Sequence, residues 1–227
     1  MKKLLSTIVI CLLISAPLFA QYNPLWIPDT LSGTDFNLSL EEGHMTWVGT
    51  TQTATAGINP ASGHGAFWGP TLFINKDDSV HMHVTNNLSD TTTIHWHGMH
   101  LPAEMDGGPY QKIAPGTTWN PYWKMMNNAA TYWFHPHLHM MAEHQLISGL
   151  GGLLIVRDAV ESALALPRTY GVDDIPLVLS DRTFDSGYQL SDVPYGDSMM
   201  VNGVMRAQYS VPSQVVRFRI LNGNTER

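Results

Sequence analysis

The sequence predicts an all-β protein, built as an antiparallel sandwich or barrel. Short runs rich in Val, Ile, Thr, Trp and Phe recur along the chain, and such runs favour strands. Gly, Pro, Asn and Asp separate the runs, as tight turns require. Between the strand-forming runs, only residues 140–148 combine the length and composition of a helical turn. These three observations predict many short strands joined by turns.

The predicted strands form two groups along the chain. The first group comprises residues 35–40, 44–51, 71–74, 79–86, 92–97, 118–123, 131–137 and 152–157. The second group comprises residues 175–180, 199–201 and 215–221. Turn-forming residues lie between neighbouring runs, as in Asp106-Gly107-Gly108-Pro109. In the last strand the side chains alternate, with Phe218 and Ile220 on one face and Arg217 and Arg219 on the other.

The two groups predict one complete domain followed by the start of a second. Residues 1–20 combine a positively charged start, an apolar run and a small-residue site, which is the pattern of a secretory signal peptide. We assign residues 21–158 to the first domain and residues 159–227 to the start of the second. A β-sandwich needs about 100 residues, so we expect the second domain to be truncated. We also expect an exported protein, periplasmic or secreted, without a membrane span after cleavage.

Charge and cysteine content exclude several classes of protein. Removing Lys2 and Lys3 from the 12 basic residues leaves 10 against 19 acidic residues, a net charge of about −9 without a basic stripe that would bind nucleic acid. The single cysteine, Cys11, lies in the predicted signal peptide. The exported chain therefore has no disulfide, no thiolate zinc site and no cysteine nucleophile. It also lacks the thiolate that a blue-copper site requires.

Two pairs of histidines carry the strongest functional signal. His95 and His97 are separated by one residue in one predicted strand, and His135 and His137 have the same spacing in another. Because strand side chains alternate, each pair lies on one face, with its members about 6.6 Å apart along the backbone. Neutral imidazoles suit several transition metals, and an all-nitrogen set favours copper or zinc. The sequence therefore predicts that the two strands converge on a metal site.

The segments around these histidines resemble the amino-terminal part of the bacterial multicopper oxidases, in particular the laccases and copper-efflux oxidases. The resemblance rests on motifs that occur in the order Thr92-Thr93-Ile94-His95-Trp96-His97-Gly98-Met99, Asp106-Gly107-Gly108-Pro109, Ala130-Thr131-Tyr132-Trp133-Phe134-His135-Pro136-His137 and Gly149-Leu150-Gly151-Gly152-Leu153. Residues 166–176 resemble the start of that family's second cupredoxin domain. The resemblance implies a cupredoxin-like Greek-key β-sandwich.

The resemblance also implies copper as the cofactor. His95 matches a ligand of the type 2 copper, whereas His97, His135 and His137 match ligands of the type 3 copper pair. These four are half of the eight histidines that hold the family's trinuclear cluster. Asp106 matches an acid near the cluster that helps to deliver protons to dioxygen, and the alternative for Asp106 is a simple turn aspartate.

The function that the resemblance implies is the oxidation of phenolic or aromatic donors, or of Cu(I), coupled to the reduction of dioxygen to water. The type 1 copper site needs a cysteine from a carboxy-terminal domain, so it is absent from this sequence, as are the other four cluster histidines. We therefore expect an amino-terminal fragment of a longer oxidase that is inactive alone. Its expected partners are dioxygen, the electron donor and the missing carboxy-terminal domains.

Three other interpretations stay open. The four histidines could serve an exported, non-enzymatic protein that binds or stores copper. The chain could be a scaffold with a structural or assembly role, although such a role does not require imidazoles at these positions. A zinc hydrolase is the least supported, because no His-Glu-x-x-His motif is present. We expect Trp96 and Trp133 to belong to the core, and we leave His139 unassigned.

Overall fold

The computed structural model describes residues 22–226, and the predicted signal peptide at residues 1–20 lies outside this range. The strands in this range are β1 (Asn23–Pro24), β2 (Thr30–Ser32), β3 (Asp35–Met45), β4 (Thr53–Ile58), β5 (Thr71–Asn75), β6 (Ser79–Asn86), β7 (His95–His97), β8 (Thr118–Trp119), β9 (Tyr122–Lys124), β10 (Ala130–His135), β11 (Gly152–Arg157), β12 (Asp174–Arg182), β13 (Ser198–Val201), β14 (Val204–Met205), β15 (Ala207–Gln208) and β16 (Arg217–Asn222). The helices are α1 (Ala142–Ser148) and α2 (Ala159–Ser162), and Ala103–Met105 forms one 3₁₀ turn. Among the described residues, no helix has the length and apolar character needed to cross a lipid bilayer.

Two large sheets form the first part of the molecule. One has the strand order β2-β5-β11-β10-β7, and the other has the order β4-β3-β6-β8, with β9 also pairing with β6. Strand β5 runs parallel to β2 and β11, whereas β10 runs antiparallel to β7 and β11. Several neighbouring strands are distant in sequence, as the long connections of a Greek key produce. The predicted all-β, Greek-key sandwich is confirmed, but its sheets are mixed and not purely antiparallel as predicted, since β5 pairs in parallel with β2 and β11 and β3 pairs in parallel with β6.

Apolar side chains from both sheets fill the space between them. Phe36 and Met82 come from one sheet, and Trp96, Phe134 and Leu154 come from the other, each at most 2% exposed. Complete burial of one such side chain contributes about 1.5–3 kcal/mol. The core therefore fixes β7 and β10, whose opposite faces carry the predicted metal ligands.

A third sheet, with the order β14-β13-β12-β16, packs against this first part. Val178 of β12 belongs to a buried cluster with Phe67 and Leu153. The buried guanidinium of Arg182 donates hydrogen bonds to the carbonyl oxygens of Leu146 and Ile147, at 3.0 and 2.9 Å. These carbonyls lie near the end of α1, where a helix presents acceptors and favours a cation. The predicted domain division between residues 158 and 159 stays a prediction.

The alternation predicted for the last strand is present, and its charged face is the buried one. Phe218 and Ile220 are 49% and 63% exposed, whereas Arg219 is 5% exposed. Arg219 donates to both carboxylate oxygens of the buried Asp174, at 2.7 and 2.8 Å, and to the Thr131 hydroxyl at 2.8 Å. A buried ion pair thus adds to the strand ladder between β16 and β12, and a hydrogen bond from the same guanidinium reaches β10.

Two of the predicted strands differ from the structure. The strand predicted at residues 44–51 is wrong, because β3 continues to Met45 and the missed strand is Thr53–Ile58. Trp47 leaves the sheet to donate a hydrogen bond to the Gly203 carbonyl at 2.7 Å. The strand predicted at residues 118–123 is divided into β8 and β9. Pro121 lies at the division, since proline has no N–H for a strand ladder.

Candidate metal centre

Three of the four predicted metal ligands lie on two paired strands, and His137 lies two residues after the second strand ends, although the sequence predicted that strand to extend to residue 137. In the antiparallel pair β7 and β10, His95 is opposite His135 and His97 is opposite Trp133. Because side chains alternate along each strand, His95, His97, Trp133 and His135 all share one face of the sheet. Trp96 and Phe134 point to the opposite face and are fully buried. The register of the sheet therefore brings together the two histidine motifs predicted from the sequence.

The imidazoles converge at short distances. His97 Nδ1 lies 3.1 Å from His135 Nε2. One ring nitrogen from each of His95, His97 and His135 lies within 4.8 Å of the others, which makes them the group of potential metal ligands found among residues 22–226. His137 lies beside this group, with its ring centroid 5.1 Å from that of His95 and 6.0 Å from that of His135. The structure thus places all four predicted histidines in one cluster.

Hydrogen bonds set which nitrogen of two imidazoles faces the cluster. His95 Nδ1 lies 3.0 Å from the backbone carbonyl oxygen of Asp106, and His135 Nδ1 lies 2.8 Å from that of Pro136. A carbonyl oxygen only accepts hydrogen bonds, so both Nδ1 atoms carry the proton. The Nε2 atoms of His95 and His135 are then left with free lone pairs. Metal-bound histidines commonly have their second nitrogen held in this way.

Asp106 is both a turn residue and a neighbour of the cluster. It follows the 3₁₀ turn Ala103–Met105, and its carboxylate Oδ2 lies 3.2 Å from His95 Nδ1. The carboxylate and the backbone carbonyl of Asp106 therefore both lie at the same imidazole N–H. Asp106 is thus in position to orient His95, and its proposed part in proton delivery stays a prediction.

Gly107 allows this loop to cross β7. Its φ is +74°, and a Cβ atom added there would lie 1.7 Å from the Ile94 carbonyl oxygen and 3.0 Å from His95 Cα. The loop that carries Asp106 therefore approaches the strand more closely than any residue with a side chain permits. This approach places the Asp106 carbonyl beside the imidazole of His95.

Replacing Gly107 with alanine is expected to lower the free energy of unfolding by at least about 2 kcal/mol. Two causes add up: a residue with a side chain is forced into the left-handed backbone region, and its Cβ atom collides with the Ile94 carbonyl oxygen. The loop must move away, so the orientation of His95 is expected to be lost as well. Gly108→Ala is the matched control, since its Cβ would have no neighbour closer than 3.6 Å. Urea denaturation of both variants measures the difference, and equal stabilities would contradict the close approach.

Three residues that the sequence did not single out connect the two histidine motifs. The buried Thr93 hydroxyl accepts a hydrogen bond from the His137 backbone N–H at 2.7 Å. The neighbouring Thr92 hydroxyl donates to Gln145 Oε1 at 2.8 Å, and Gln145 Nε2 donates to the Thr91 carbonyl at 2.9 Å. These bonds hold the segment after β10 against the segment before β7. Nothing local in the sequence identifies them, because their partners are 44 to 54 residues apart.

Burial keeps the central imidazoles neutral. It lowers the pKa of His135 to about 4, although the Pro136 carbonyl acts in the opposite direction. Burial also lowers the pKa of His97, with smaller contributions from the nearby His95 and His137. A neutral imidazole is the form that binds a metal ion. His97 and His135 can therefore bind a metal at neutral pH without first releasing a proton from an imidazolium.

The free energy of unfolding of the metal-free chain is expected to fall as the pH decreases from about 6.5 to about 5. In this window the unfolded chain protonates His135, whereas the folded chain keeps it neutral down to about pH 4. The unfolded state therefore binds more protons, and each pH unit of acidification lowers the free energy of unfolding by up to about 1.4 kcal/mol for one such group. His64, whose pKa burial also lowers to about 4, acts in the same direction.

Urea denaturation at several pH values measures this dependence. His135→Gln and His64→Gln are each expected to flatten the curve in the window above about pH 5, where carboxylates of ordinary pKa stay ionised. A slope unchanged in both variants would show that burial of these imidazoles does not control the dependence.

The cluster lies at an open surface. His97 and His137 are exposed, and His95 and His135 are half-buried. Trp133 is also half-buried and stacks on the His135 ring with centroids 4.0 Å apart, so its predicted place in the core is only partly correct. His139 is exposed on the turn that follows. Further ligands for a metal can therefore come from outside this part of the chain.

The donor set fits a transition metal. Two nitrogens bound to one ion at about 2.0 Å in tetrahedral geometry are about 3.3 Å apart. The separation of 3.1 Å between His97 Nδ1 and His135 Nε2 is close to this value. Nitrogen donors without thiolate suit copper or zinc, and the nearby acceptor Asp106 can hold a ligand in the required tautomer.

Comparison with known sequences identifies related proteins. Residues 39–161 match the family model described as "Multicopper oxidase". The chain is 33% identical over 199 residues to the multicopper oxidase mco of Staphylococcus epidermidis, covering 85% of this chain and 43% of that protein. It is 31% identical over 216 residues to the cell division protein FtsP of Escherichia coli K12, covering 91% and 45%. The chain thus spans less than half the length of these curated relatives.

Solved structures show the same relationship. The laccase-like multicopper oxidase CueO of Ochrobactrum sp. superposes with a TM-score of 0.80 at 35% identity, over 88% of this chain and 46% of that one. The McoA multicopper oxidase of Aquifex aeolicus superposes with a TM-score of 0.81 at 31% identity, over 89% and 46%. These similarities cover nearly nine-tenths of this chain, and they support the cupredoxin-like fold.

Proposed function

Because the chain belongs to the multicopper oxidase family, for which copper is the implied cofactor, we propose that it supplies half of the ligands of a trinuclear copper cluster. In this proposal His95 holds the type 2 copper, and His97, His135 and His137 hold the type 3 pair. The whole protein would oxidise phenolic or aromatic donors, or Cu(I), and reduce dioxygen to water. The observation that carries the proposal is the convergence of the four imidazoles on one open surface.

The residues of this chain have separate tasks in the proposed oxidase. The Nε2 atoms of His95 and His135 present lone pairs, because backbone carbonyls hold the opposite nitrogens. The Asp106 carboxylate, 3.2 Å from His95 Nδ1, is the nearest acid to the cluster and would hold or transfer a proton there. Bound copper would supply one-electron redox chemistry and a binding site for dioxygen.

The exposed side of the cluster indicates where the remaining ligands would come from. His97 and His137 face solvent in this structure, and the chain lacks the cysteine of a type 1 copper site outside residues 1–20. We therefore propose that a carboxy-terminal part of the whole protein covers this surface and supplies the other histidines and the type 1 site. We also propose export to the periplasm or the cell exterior, where copper oxidases without disulfides can fold and act.

The proposal is tested by measuring copper content and dioxygen uptake of the full-length protein with a phenolic donor and with Cu(I). Removing copper with a chelator should abolish uptake, and adding Cu(II) should restore it, whereas Zn(II) should not. Consumption of one donor and not the other would identify the substrate class. A protein that binds copper stoichiometrically and consumes no dioxygen with either donor would instead be a copper-binding or storage protein.

A second candidate function is a structural role in cell division. It is favoured by the 31% identity to the protein named as cell division protein FtsP in Escherichia coli. The four converging imidazoles favour the copper function, since a purely structural surface does not need four metal-binding side chains in one place. Deleting the gene would separate the two: a division defect rescued by a His95→Ala, His97→Ala, His135→Ala, His137→Ala variant would support the structural role.

A further inference from the structure

An open cleft lies where the first part of the molecule meets the third sheet. Its volume is about 1070 Å³, and its walls come from the β5–β6 turn, the segment before β10, the connector that contains α2, and β16. This volume is close to the upper end of the range of about 300–1,000 Å³ that small-molecule sites occupy. We propose that the cleft binds an organic acid, whose carboxylate pairs with Arg157 and whose hydrocarbon part contacts the connector. The inference goes beyond the proposed oxidase function and does not depend on copper.

Arg157 supplies the unused charge of the cleft. Its side chain is half-buried, and its guanidinium carbon lies 4.7 Å from the centroid of the Phe73 ring. Within residues 22–226 the guanidinium makes no hydrogen bond or ion pair, and its Nε atom is buried without a partner. Contact with an aromatic face limits the motion of a guanidinium, and its planar fork matches the two oxygens of a carboxylate. Arg157 is therefore a positioned donor that lacks an acceptor.

The carboxylates of the cleft already have partners. Both oxygens of Asp158 accept backbone N–H groups, from Glu161 at 2.7 Å and from the residue before β10 at 2.9 Å. Glu161 Oε1 accepts a hydrogen bond from Arg217 at 2.8 Å, and its Oε2 is shielded from solvent. Asp77 Oδ1 lies 3.3 Å from Lys124 Nζ. The charge that remains for a ligand is therefore positive.

Lys76 adds a second cation on the β5–β6 turn. Its Nζ donates a hydrogen bond to Asn128 Oδ1 at 2.6 Å. An ammonium group has three donors, so two remain for a ligand. The whole chain has 12 basic residues against 19 acidic ones, and three of the basic residues line this cleft. Positive charge concentrated in an acidic protein attracts an anion to this place.

Exposed apolar side chains on the connector indicate that the anion has a hydrocarbon part. Val160, Leu164 and Leu166 line the same cleft, and they are 75%, 52% and 38% exposed. A ligand that covers them removes apolar surface from water, whereas an inorganic anion leaves them in contact with it. Small-molecule sites commonly combine apolar walls with a few placed polar groups. The combination with Arg157 therefore fits a carboxylate on an apolar body.

The test is a calorimetric titration of the copper-free full-length protein with 2-naphthoate, which has a carboxylate on an apolar body and no phenolic hydroxyl. Absence of copper prevents the carboxylate from binding to the metal centre. We expect one equivalent to bind, and the uncharged 2-naphthamide to bind at least tenfold more weakly.

Variants of the cleft should weaken binding in proportion to their proposed contacts. Arg157→Met is expected to weaken it at least tenfold, since methionine keeps apolar volume beside Phe73 and removes the fork. Leu164→Ser should weaken it about threefold to tenfold, because apolar contact is lost. Arg206→Met is the matched control, at an exposed arginine between β14 and β15, and should change the affinity less than twofold.

Equal binding of 2-naphthoate and 2-naphthamide would overturn the inference, because the charge would then contribute nothing. Absent binding, inorganic phosphate binding as tightly as 2-naphthoate, or an equal loss in Arg206→Met and Arg157→Met would also overturn it. Thermal unfolding separates lost binding from lost folding, and Arg157→Met should unfold close to the wild-type temperature. A protein that binds 2-naphthoate but takes up no dioxygen after copper loading would contradict the proposed oxidase function alone.

Discussion

Replacing His95 or His137 with alanine in the full-length protein is expected to abolish dioxygen reduction while leaving the fold intact. Each replacement removes a proposed copper ligand, and losing a ligand should cost more than the 10–100-fold that follows when a partner of a ligand is removed. Neither side chain belongs to the hydrophobic core, so folding should not depend on it. Dioxygen uptake, copper content and thermal unfolding measured together check this result.

The matched control is His144→Ala. His144 is exposed, and its Nδ1 lies 2.8 Å from the Asp192 carboxylate, which is not part of the histidine cluster. Its replacement should leave dioxygen uptake within about twofold, as expected for a surface substitution. Full copper content and turnover in both His95→Ala and His137→Ala would show that the assignment of the cluster is wrong.

Replacing Arg219 with methionine is expected to destabilise the folded chain by about 3–5 kcal/mol, because the buried carboxylate of Asp174 loses its closest charged partner and keeps only Arg217, 4.0 Å away. Asp174 is fully buried, and both of its oxygens accept hydrogen bonds from Arg219. The same substitution removes the bond to the Thr131 hydroxyl of β10. Chemical denaturation of the variant measures the loss.

Two further variants show whether the buried pair is the cause. Arg217→Met is the comparison on the same strand: Arg217 is more exposed than Arg219, it lies 4.0 Å from Asp174 Oδ1, and Glu161 would keep Arg168 as a second partner, so a smaller loss is expected. The double variant Asp174→Leu with Arg219→Met removes both charges and should recover much of the lost stability. If Arg219→Met cost no more than Arg217→Met, the buried Asp174–Arg219 ion pair would not be a major source of stability.

The fold could be predicted where local patterns determine the strands. Alternating apolar residues define β6, and the predicted range of residues 79–86 agrees with the structure. The strand Thr53–Ile58 was missed, because its small residues carry little strand signal. Gly57 explains this composition: a Cβ there would lie 2.9 Å from the Phe67 backbone nitrogen. The close approach of a segment about ten residues later in the chain is not visible in the local sequence.

The sequence predicted the histidines of the candidate site, but it predicted only part of the contacts that surround them. Period-two spacing placed His95 with His97, and His135 with His137, without knowledge of the sheet. Whether Asp106 would be a turn residue or a neighbour of the cluster was open, and the structure shows that it is both. The hydrogen bond from His137 to Thr93 depends on pairing between distant segments. Such tertiary contacts cannot be read from either segment alone.

The pairing of β7 with β10 also determines which sequence changes the centre can tolerate during evolution. A slip of one residue would turn every imidazole of the shifted strand toward the apolar interior, so single insertions within either strand should be eliminated by selection. Lengthening the connection between the strands costs only about 0.6 kcal/mol for each doubling. That connection also contains β8, β9 and the buried Ile113, Trp123 and Met125, so changes in length should be tolerated only in its exposed turns, such as residues 114–117, while the metal geometry is inherited unchanged.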